Sequence, residues 1–168
     1  MRTRAIALPL LLLLVLASSA YAQDQARIIP RRQQIDRPVE KVYDTLKNYL
    51  SSPSRSLFNL TSAERVSGTI VATRHGIDPG TWTQWAYCKT APEQMVYSLG
   101  DGSVTVTVKL QGSGSGATFM TVTSDFKGTY VPPSLLGKPN VVIDCSSKGG
   151  LEDTLFAVAS GAQPQATP

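Results

Sequence analysis

Histidine is nearly absent from this 168-residue sequence, and no serine lies in a G-x-S-x-G elbow. His75 is the single histidine, and Asp78 follows it at a spacing that is common in turns. A catalytic histidine needs a nucleophile and an orienting acid within reach, and the sequence offers no coherent set. One histidine, two cysteines and dispersed acids also provide no metal cluster. We therefore expect a non-catalytic protein without metal or cofactor.

Long apolar runs are also scarce, and the single one lies at the N-terminus. Arg2 and Arg4 precede the apolar run, and Ala20-Tyr21-Ala22 supplies a small-x-small cleavage pattern before Gln23. This arrangement predicts a secretory signal peptide over residues 1–22. The residue directly after the cleavage site is Gln23 and not a cysteine, so a lipid anchor is not expected. We predict a periplasmic or secreted product with no membrane span in the mature chain.

Charged residues are few, since Asp, Glu, Lys and Arg together make up 17% of the chain. Removing residues 1–22 takes away two of the 16 basic residues and none of the 12 acidic ones, so the net charge falls from +4 to +2. The one local basic cluster is Arg27, Arg31, Arg32 and Arg37, which we interpret as a solvated edge rather than a phosphate or acidic-partner contact. A nucleic-acid interface would need a basic stripe with interleaved aromatics, so none is expected.

The two cysteines are Cys88 and Cys145. An exported chain meets an oxidising compartment, so the sequence predicts that they form a disulfide. The remaining chain is long enough for one core, and we predict a single domain over residues 23–160. Residues 161–168 lack apolar anchors and are predicted to form a loose tail.

Apolar residues recur at helical spacing in two segments. Val42, Tyr43 and Leu46 belong to one stripe over residues 37–51, for which Asp36 is the predicted cap and Pro38 occupies the first turn. A shorter helix is predicted at residues 149–160, where Leu151 and Leu155 share a face.

The chain between these helices is typical of β-structure. Strands are predicted there at residues 66–74, 81–89, 94–99, 103–111, 117–131 and 141–147, with a tight turn at Gly100–Gly102. A further edge strand is predicted before the first helix, at residues 26–34. Val104, Val106 and Val108 alternate with polar residues, which indicates one buried and one wet face. Residues 53–65 are ambiguous and are expected to close over the core as a short helix or loop.

The segment "TWTQWAYCKT" at residues 81–90 concentrates aromatic side chains. As a strand it would point Trp85 and Tyr87 to one face and Trp82 and Cys88 to the other. Two interpretations stay open: the aromatics are ordinary core and sheet cover, or they form a ligand-binding wall. The candidate ligand-binding residues are Trp82, Trp85, Tyr87, Tyr97, Phe119 and Phe126.

The order of elements, with "IDRPVEKVYDTL" early and "CSSKGGLEDTLFAVA" late, resembles helix-grip proteins. Pro38, Val42, Tyr43 and Leu46 fit the proline-initiated helix of START-like and birch-pollen-allergen-like proteins. This chain also resembles the periplasmic helix-grip modules of the outer-membrane assembly lipoprotein BamC, which lie in the compartment that we predict for it. The last helix is short for a START-like carrier, and the lipobox of BamC is missing, which puts a large lipid cavity and a membrane tether in doubt.

The resemblance implies a helix-grip-like α+β domain whose antiparallel sheet packs against one long N-terminal and one short C-terminal helix. The function that we expect is a periplasmic binding or assembly module of the cell envelope, which holds a protein partner at a sheet edge or a sheet-helix groove. The alternative is a carrier of a small apolar ligand or lipid in that groove.

Overall fold

The computed structural model describes residues 28–52, 54, 56–89, 97–114 and 116–162. The predicted signal peptide and the last six residues of the predicted tail lie outside this part of the chain. The described elements are, in chain order, β1 (Arg31–Ile35), α1 (Val39–Leu50), β2 (Asn59–Glu64), β3 (Thr69–Ile77), α2 (Pro79–Trp85), β4 (Ala86–Cys88), β5 (Ser98–Gly112), β6 (Thr118–Val131), β7 (Val141–Ser147) and α3 (Gly150–Ser160). The predicted α+β class is confirmed.

The described strands form one antiparallel sheet. Six of them follow the order β2-β3-β5-β6-β7-β4, and β1 also pairs with β6. On β5, the valines at 104, 106 and 108 are buried, whereas Thr105 and Thr107 between them are partly exposed. The predicted alternation of a buried and a wet face is therefore confirmed, and the helices cover the buried face.

Helix α1 begins directly after Pro38 and buries its predicted stripe, which consists of Val42, Tyr43, Leu46 and Leu50. The predicted capping role of Asp36 is wrong. The Asp36 carboxylate accepts a hydrogen bond from Gln34 Nε2 (3.2 Å) instead, and the residue at the N-cap position of α1 is Pro38, where no side chain caps the helix. The expected contrast between a long first and a short last helix is not supported either, since α1 has 12 residues and α3 has 11.

The predicted strand at residues 81–89 is wrong, because residues 79–85 form α2. Asp78 Oδ1 accepts a hydrogen bond from the Thr81 amide (3.0 Å), and Pro79 occupies the first helical position. Such a cap with proline at the start favours a helix strongly enough to override the β-propensity of threonine and tryptophan. Residues 86–88 alone continue as strand β4.

The predicted tight turn at Gly100–Gly102 is also wrong, because β5 runs through it and pairs with β6 from Ser98 to Gly112. The strand contains a bulge between Leu99 and Asp101. Gly102 has a different role: a Cβ there would overlap the indole of Trp82, so the glycine lets α2 pack closely on the sheet. The first half of the predicted strand before this turn, residues 94–96, lies outside the described residues.

Three other boundaries differ from the sequence predictions. The strand predicted at residues 26–34 corresponds to β1, which begins at Arg31 and ends at Ile35, and residues 28–30 are not part of it. The ambiguous segment contains β2, and β3 begins at Thr69 rather than at residue 66. The three residues before β3 form a turn that ends in Gly68, whose φ of 63° lies in the left-handed region that favours glycine. β6, β7 and α3 lie where the sequence predicts them.

Two arginines of the N-terminal basic cluster attach β1 and the segment after it to α3. Arg31 Nη1 donates to the Gly149 carbonyl (2.8 Å) at the start of the helix, and Arg37 Nη1 donates to the Ala159 carbonyl (2.8 Å) at its end. These two side chains are therefore structural clamps rather than a solvated edge. Arg32 lies over the Phe119 ring at 4.5 Å. No described helix is long and apolar enough to span a bilayer.

Candidate functional site

The six predicted ligand-binding aromatics do not come together at one site. Trp82 and Phe126 are buried in the core, with ring centroids 5.4 Å apart in an edge-to-face contact. Phe119 faces the opposite side of the sheet, because it is separated from Phe126 by an odd number of positions on β6. Tyr97 precedes β5 and is half-buried. These four side chains do not form a common wall.

Trp85 and Tyr87 are also separated. The guanidinium of Arg74 lies 5.1 Å from the Trp85 ring centroid, and its burial there lowers the pKa of Arg74. Tyr87 is 62% exposed and lines an open cleft at the edge of the sheet. Of the six aromatics, Tyr87 is the one that contributes to this cleft.

The cleft opens where the sheet is interrupted along one side of β6. On its other side, β6 pairs with β5 from Thr118 to Val131. On the interrupted side, β1 pairs with residues 118–122 and β7 pairs with residues 126–130. Residues 123–125 lie between these two ladders and have no partner strand there among the described residues. The interruption therefore leaves space beside the middle of β6.

The cleft has a volume of about 520 Å³, which lies in the range of small-ligand sites. It reaches from the start of α3 on the helical side of the sheet to the side chain of Tyr87 on the open face. Its lining combines exposed apolar side chains, hydroxyl groups and charges of both signs. The lining residues are Ile28, Ile29, Arg31, Tyr87, Lys89, Ser124, Asp144, Cys145, Ser146, Ser147, Lys148, Gly149 and Asp153.

Ser124 is the most informative lining residue. Its side chain belongs to the central, interrupted part of β6, and the residue is 5% exposed. Its hydroxyl makes no hydrogen bond with the described residues. A buried hydroxyl without a partner is uncommon, because it loses its hydrogen bonds to water and gains none in return. A polar ligand in the cleft would provide the missing partner.

A small polar network fixes the wall formed by the start of α3. Ser147 Oγ donates to the buried carboxylate of Glu152 (2.8 Å) and accepts from the Gly149 amide (2.9 Å). Arg31 adds an ion pair with Asp153, at 2.7 Å between Nη1 and Oδ1. Because these groups bond to one another, this wall is rigid.

The opposite wall is held by the disulfide between Cys88 and Cys145, which the structure confirms. The two cysteines are directly paired residues of β4 and β7, and Cys145 also lines the cleft. β4 has three residues, and the disulfide links it covalently to β7 beside Tyr87. The sequence predicted this bond, but it gave no sign that the bond borders a cleft.

The two residues that the sequence analysis considered for catalysis, His75 and Asp78, do not line the cleft. His75 lies exposed in β3. Asp78 caps α2 instead of orienting a histidine, and its hydrogen bond with the Thr81 amide lowers the pKa of its carboxyl group. Across the described residues, no three His, Cys, Asp or Glu side chains come together as a metal site. What the cleft offers chemically is recognition by hydrogen bonds, charge and apolar contact.

Comparisons with known proteins add little to this description. No protein-family model matches the chain, and no curated protein matches it. A DUF4468 family protein from Bacteroides ovatus is similar in structure, with a TM-score of 0.36 and 14% identity over 68% of this chain and 59% of that chain. A TBP-like protein from Parabacteroides distasonis has a TM-score of 0.37 and 9% identity over 70% of this chain and 65% of that chain. This chain spans less than two thirds of either length, and likeness at this level indicates no function.

Proposed function

We propose that this protein is an exported, non-catalytic binding module of the cell envelope and that the cleft beside β6 is its binding site. The observation that carries the proposal is the unpaired hydroxyl of Ser124, which is 5% exposed and lies in the lining of that cleft. Burial without a partner costs stability, and a ligand that bonds to the hydroxyl offsets this cost. Tyr87, Ile28 and Ile29 add exposed apolar surface at the same place.

Two features support export. The N-terminal sequence has the charge, apolar run and small-residue pattern of a secretory leader. The Cys88–Cys145 disulfide is typical of proteins that reach an oxidising compartment. The helix-grip relationship stays a prediction that neither feature addresses.

A protein partner fits the cleft better than the small apolar ligand of the alternative hypothesis. A carrier needs an enclosed apolar cavity, whereas most of the residues that line this cleft are polar or charged. Two aromatics of the proposed ligand wall, Trp82 and Phe126, pack against each other in the core. An open, mixed surface is typical of a site that receives part of another chain.

Native mass spectrometry of the protein purified from periplasm without detergent tests this function. We expect a bound species that dissociates from the wild-type chain and is much reduced in Ser124→Ala, while Ser103→Ala on the open face of β5 retains it. A bound species of equal amount in all three proteins would place binding elsewhere. A bare mass for the wild-type chain, together with no partner retained on an affinity column, would reject the binding function.

A further inference from the structure

The cleft beside β6 contains the chemistry for a carboxylate. Arg31 uses Nη1 for both of its hydrogen-bonded contacts, with the Gly149 carbonyl and with Asp153. Its Nε and Nη2 atoms make no hydrogen bond with the described residues, and its side chain is 40% exposed. A guanidinium with two unused donors is well suited to bind a carboxylate.

The charges around Arg31 allow an additional negative group. Besides Lys89, which has an interaction of its own, the lining contains two basic residues, Arg31 and Lys148, and two acidic ones, Asp144 and Asp153. Each acidic residue already has a basic neighbour: Asp153 pairs with Arg31, and Asp144 lies 3.8 Å from Lys127. A ligand carboxylate therefore meets a surface whose own acids are compensated.

The remaining lining groups favour an extended polypeptide as the carrier of that carboxylate. Peptide groups offer both donors and acceptors, which the Ser124 hydroxyl and the unpaired edge of β6 at residues 123–125 require. Ile28 and Ile29 are 46% and 66% exposed and, with Tyr87, provide contacts for a ligand side chain. The gap between the ladders of β1 and β7 is three residues long, so it suits a short segment or a chain end rather than a complete added strand.

We propose that the cleft binds a short, extended peptide that carries a carboxylate, in which the carboxylate pairs with Arg31 and a peptide group bonds to Ser124. The carboxylate comes either from a free C-terminus or from an Asp or Glu side chain. This specificity rests on the cleft being the binding site of the function proposed above.

Affinity selection on the immobilised, disulfide-bonded mature protein tests the proposal with three pools of random pentapeptides. The first pool ends in a free carboxylate, the second is amidated and contains no acidic residue, and the third is amidated and contains one glutamate. We expect roughly tenfold enrichment from the first or third pool over the second. Which of the two is enriched identifies the source of the carboxylate.

Matched variants separate ligand recognition from folding. Arg31→Gln and Arg37→Gln each remove a clamp on one end of α3, but Arg37 does not line the cleft. We expect the Arg31 variant to lose the enrichment and the Arg37 variant to keep it at a similar loss of thermal stability. Ser124→Ala should reduce retention about fivefold without destabilising the fold.

The outcomes distinguish the proposed ligand, a peptide with a carboxylate, from the proposed function, binding at the cleft. Equal enrichment from all pools, still sensitive to Ser124→Ala, would overturn the carboxylate specificity and leave the binding site intact. No enrichment from any pool, together with a Ser124-dependent ligand of another kind in native mass spectrometry, would overturn the proposal that the ligand is a peptide. No enrichment and no bound species at all would reject both the peptide and the proposed function.

Discussion

Ser124→Ala should stabilise the free protein, although it removes a polar group from a well-packed sheet. The Ser124 hydroxyl is buried and has no partner among the described residues. An unsatisfied buried polar group destabilises a protein by about 1–3 kcal/mol, and removing the hydroxyl recovers this free energy. The small void left by the lost oxygen offsets a part of the gain. We therefore expect a gain of about 1 kcal/mol in the free energy of unfolding, or roughly 3 °C in Tm for a domain of this size.

Ser56→Ala provides the matched comparison. Ser56 has the same exposed fraction as Ser124, 5%, but its hydroxyl accepts from the Phe58 amide (3.3 Å) and donates to the Ser52 carbonyl (3.4 Å). The substitution leaves the buried amide unpaired and should cost about 1–2 kcal/mol.

Urea unfolding of the wild type and both variants, without ligand, measures the difference. The expected result is a change of opposite sign for the two serines. Equal destabilisation by both substitutions would show that the Ser124 hydroxyl already has a partner in the free protein, and the argument for a ligand at this position would fail.

Three other predictions follow from the same contacts. Cys88→Ser should lower the free energy of unfolding by about 4 kcal/mol, because the disulfide to Cys145 spans 57 positions and restricts the unfolded chain. An unchanged Tm under oxidising conditions would contradict this role of the disulfide. Gly102→Ala should cost about 1–3 kcal/mol by urea unfolding because the new methyl group overlaps Trp82, and a neutral result would refute the close packing. The folded state lowers the pKa of Asp78, so this carboxylate stabilises α2 above the ordinary carboxyl pKa, and the stabilisation is lost as the pH falls through the pKa of the folded state. Amide exchange of α2 should therefore show this acid dependence in the wild type and lack it in Asp78→Asn. The same dependence in both proteins would assign the effect to another group.

The elements that the sequence predicts correctly are those with a long, regular pattern. The α1 stripe repeats over three turns, and the valines of β5 alternate over three pairs of positions, so several residues agree on one conformation. Residues 79–85 contain a competing signal: threonine and tryptophan favour a strand, but the Asp78 cap and Pro79 start a helix. The helix start formed by Asp78 and Pro79 therefore outweighed the strand propensity of the threonine and tryptophan residues that follow.

Gly102 illustrates a second reason for disagreement. A Gly-Asp-Gly sequence is typical of a tight turn, yet the same lack of a side chain also permits close approach of another element. The partner is Trp82, which lies 20 positions earlier and belongs to a helix that the sequence did not predict. Long-range contacts of this kind decide the role of a glycine, and periodicity does not contain them.

The candidate site was largely beyond prediction for the same reason. The cleft exists because β1 and β7, at opposite ends of the chain, pair with the same side of β6 and leave residues 123–125 between them. Tyr87, Cys88 and Cys145 could be singled out by composition. Ser124 could not, because an unpaired serine is defined by its surroundings. Arg31 was recognised only as one of four arginines in a basic cluster that we interpreted as a solvated edge, because the contacts of its guanidinium are also set by its surroundings.

Site-specific photocrosslinking in the periplasm tests the central claim, that the cleft beside β6 is where the protein binds its partner. A photoreactive phenylalanine analogue replaces Tyr87, which is exposed at the cleft, or Val66, which is fully exposed in the turn between β2 and β3. We expect a discrete adduct from position 87 that is absent from position 66 and falls about fivefold when Ser124→Ala is introduced into the same chain. Identical adducts from both positions, or an adduct at position 87 of unchanged yield in the Ser124 variant, would contradict binding at the cleft.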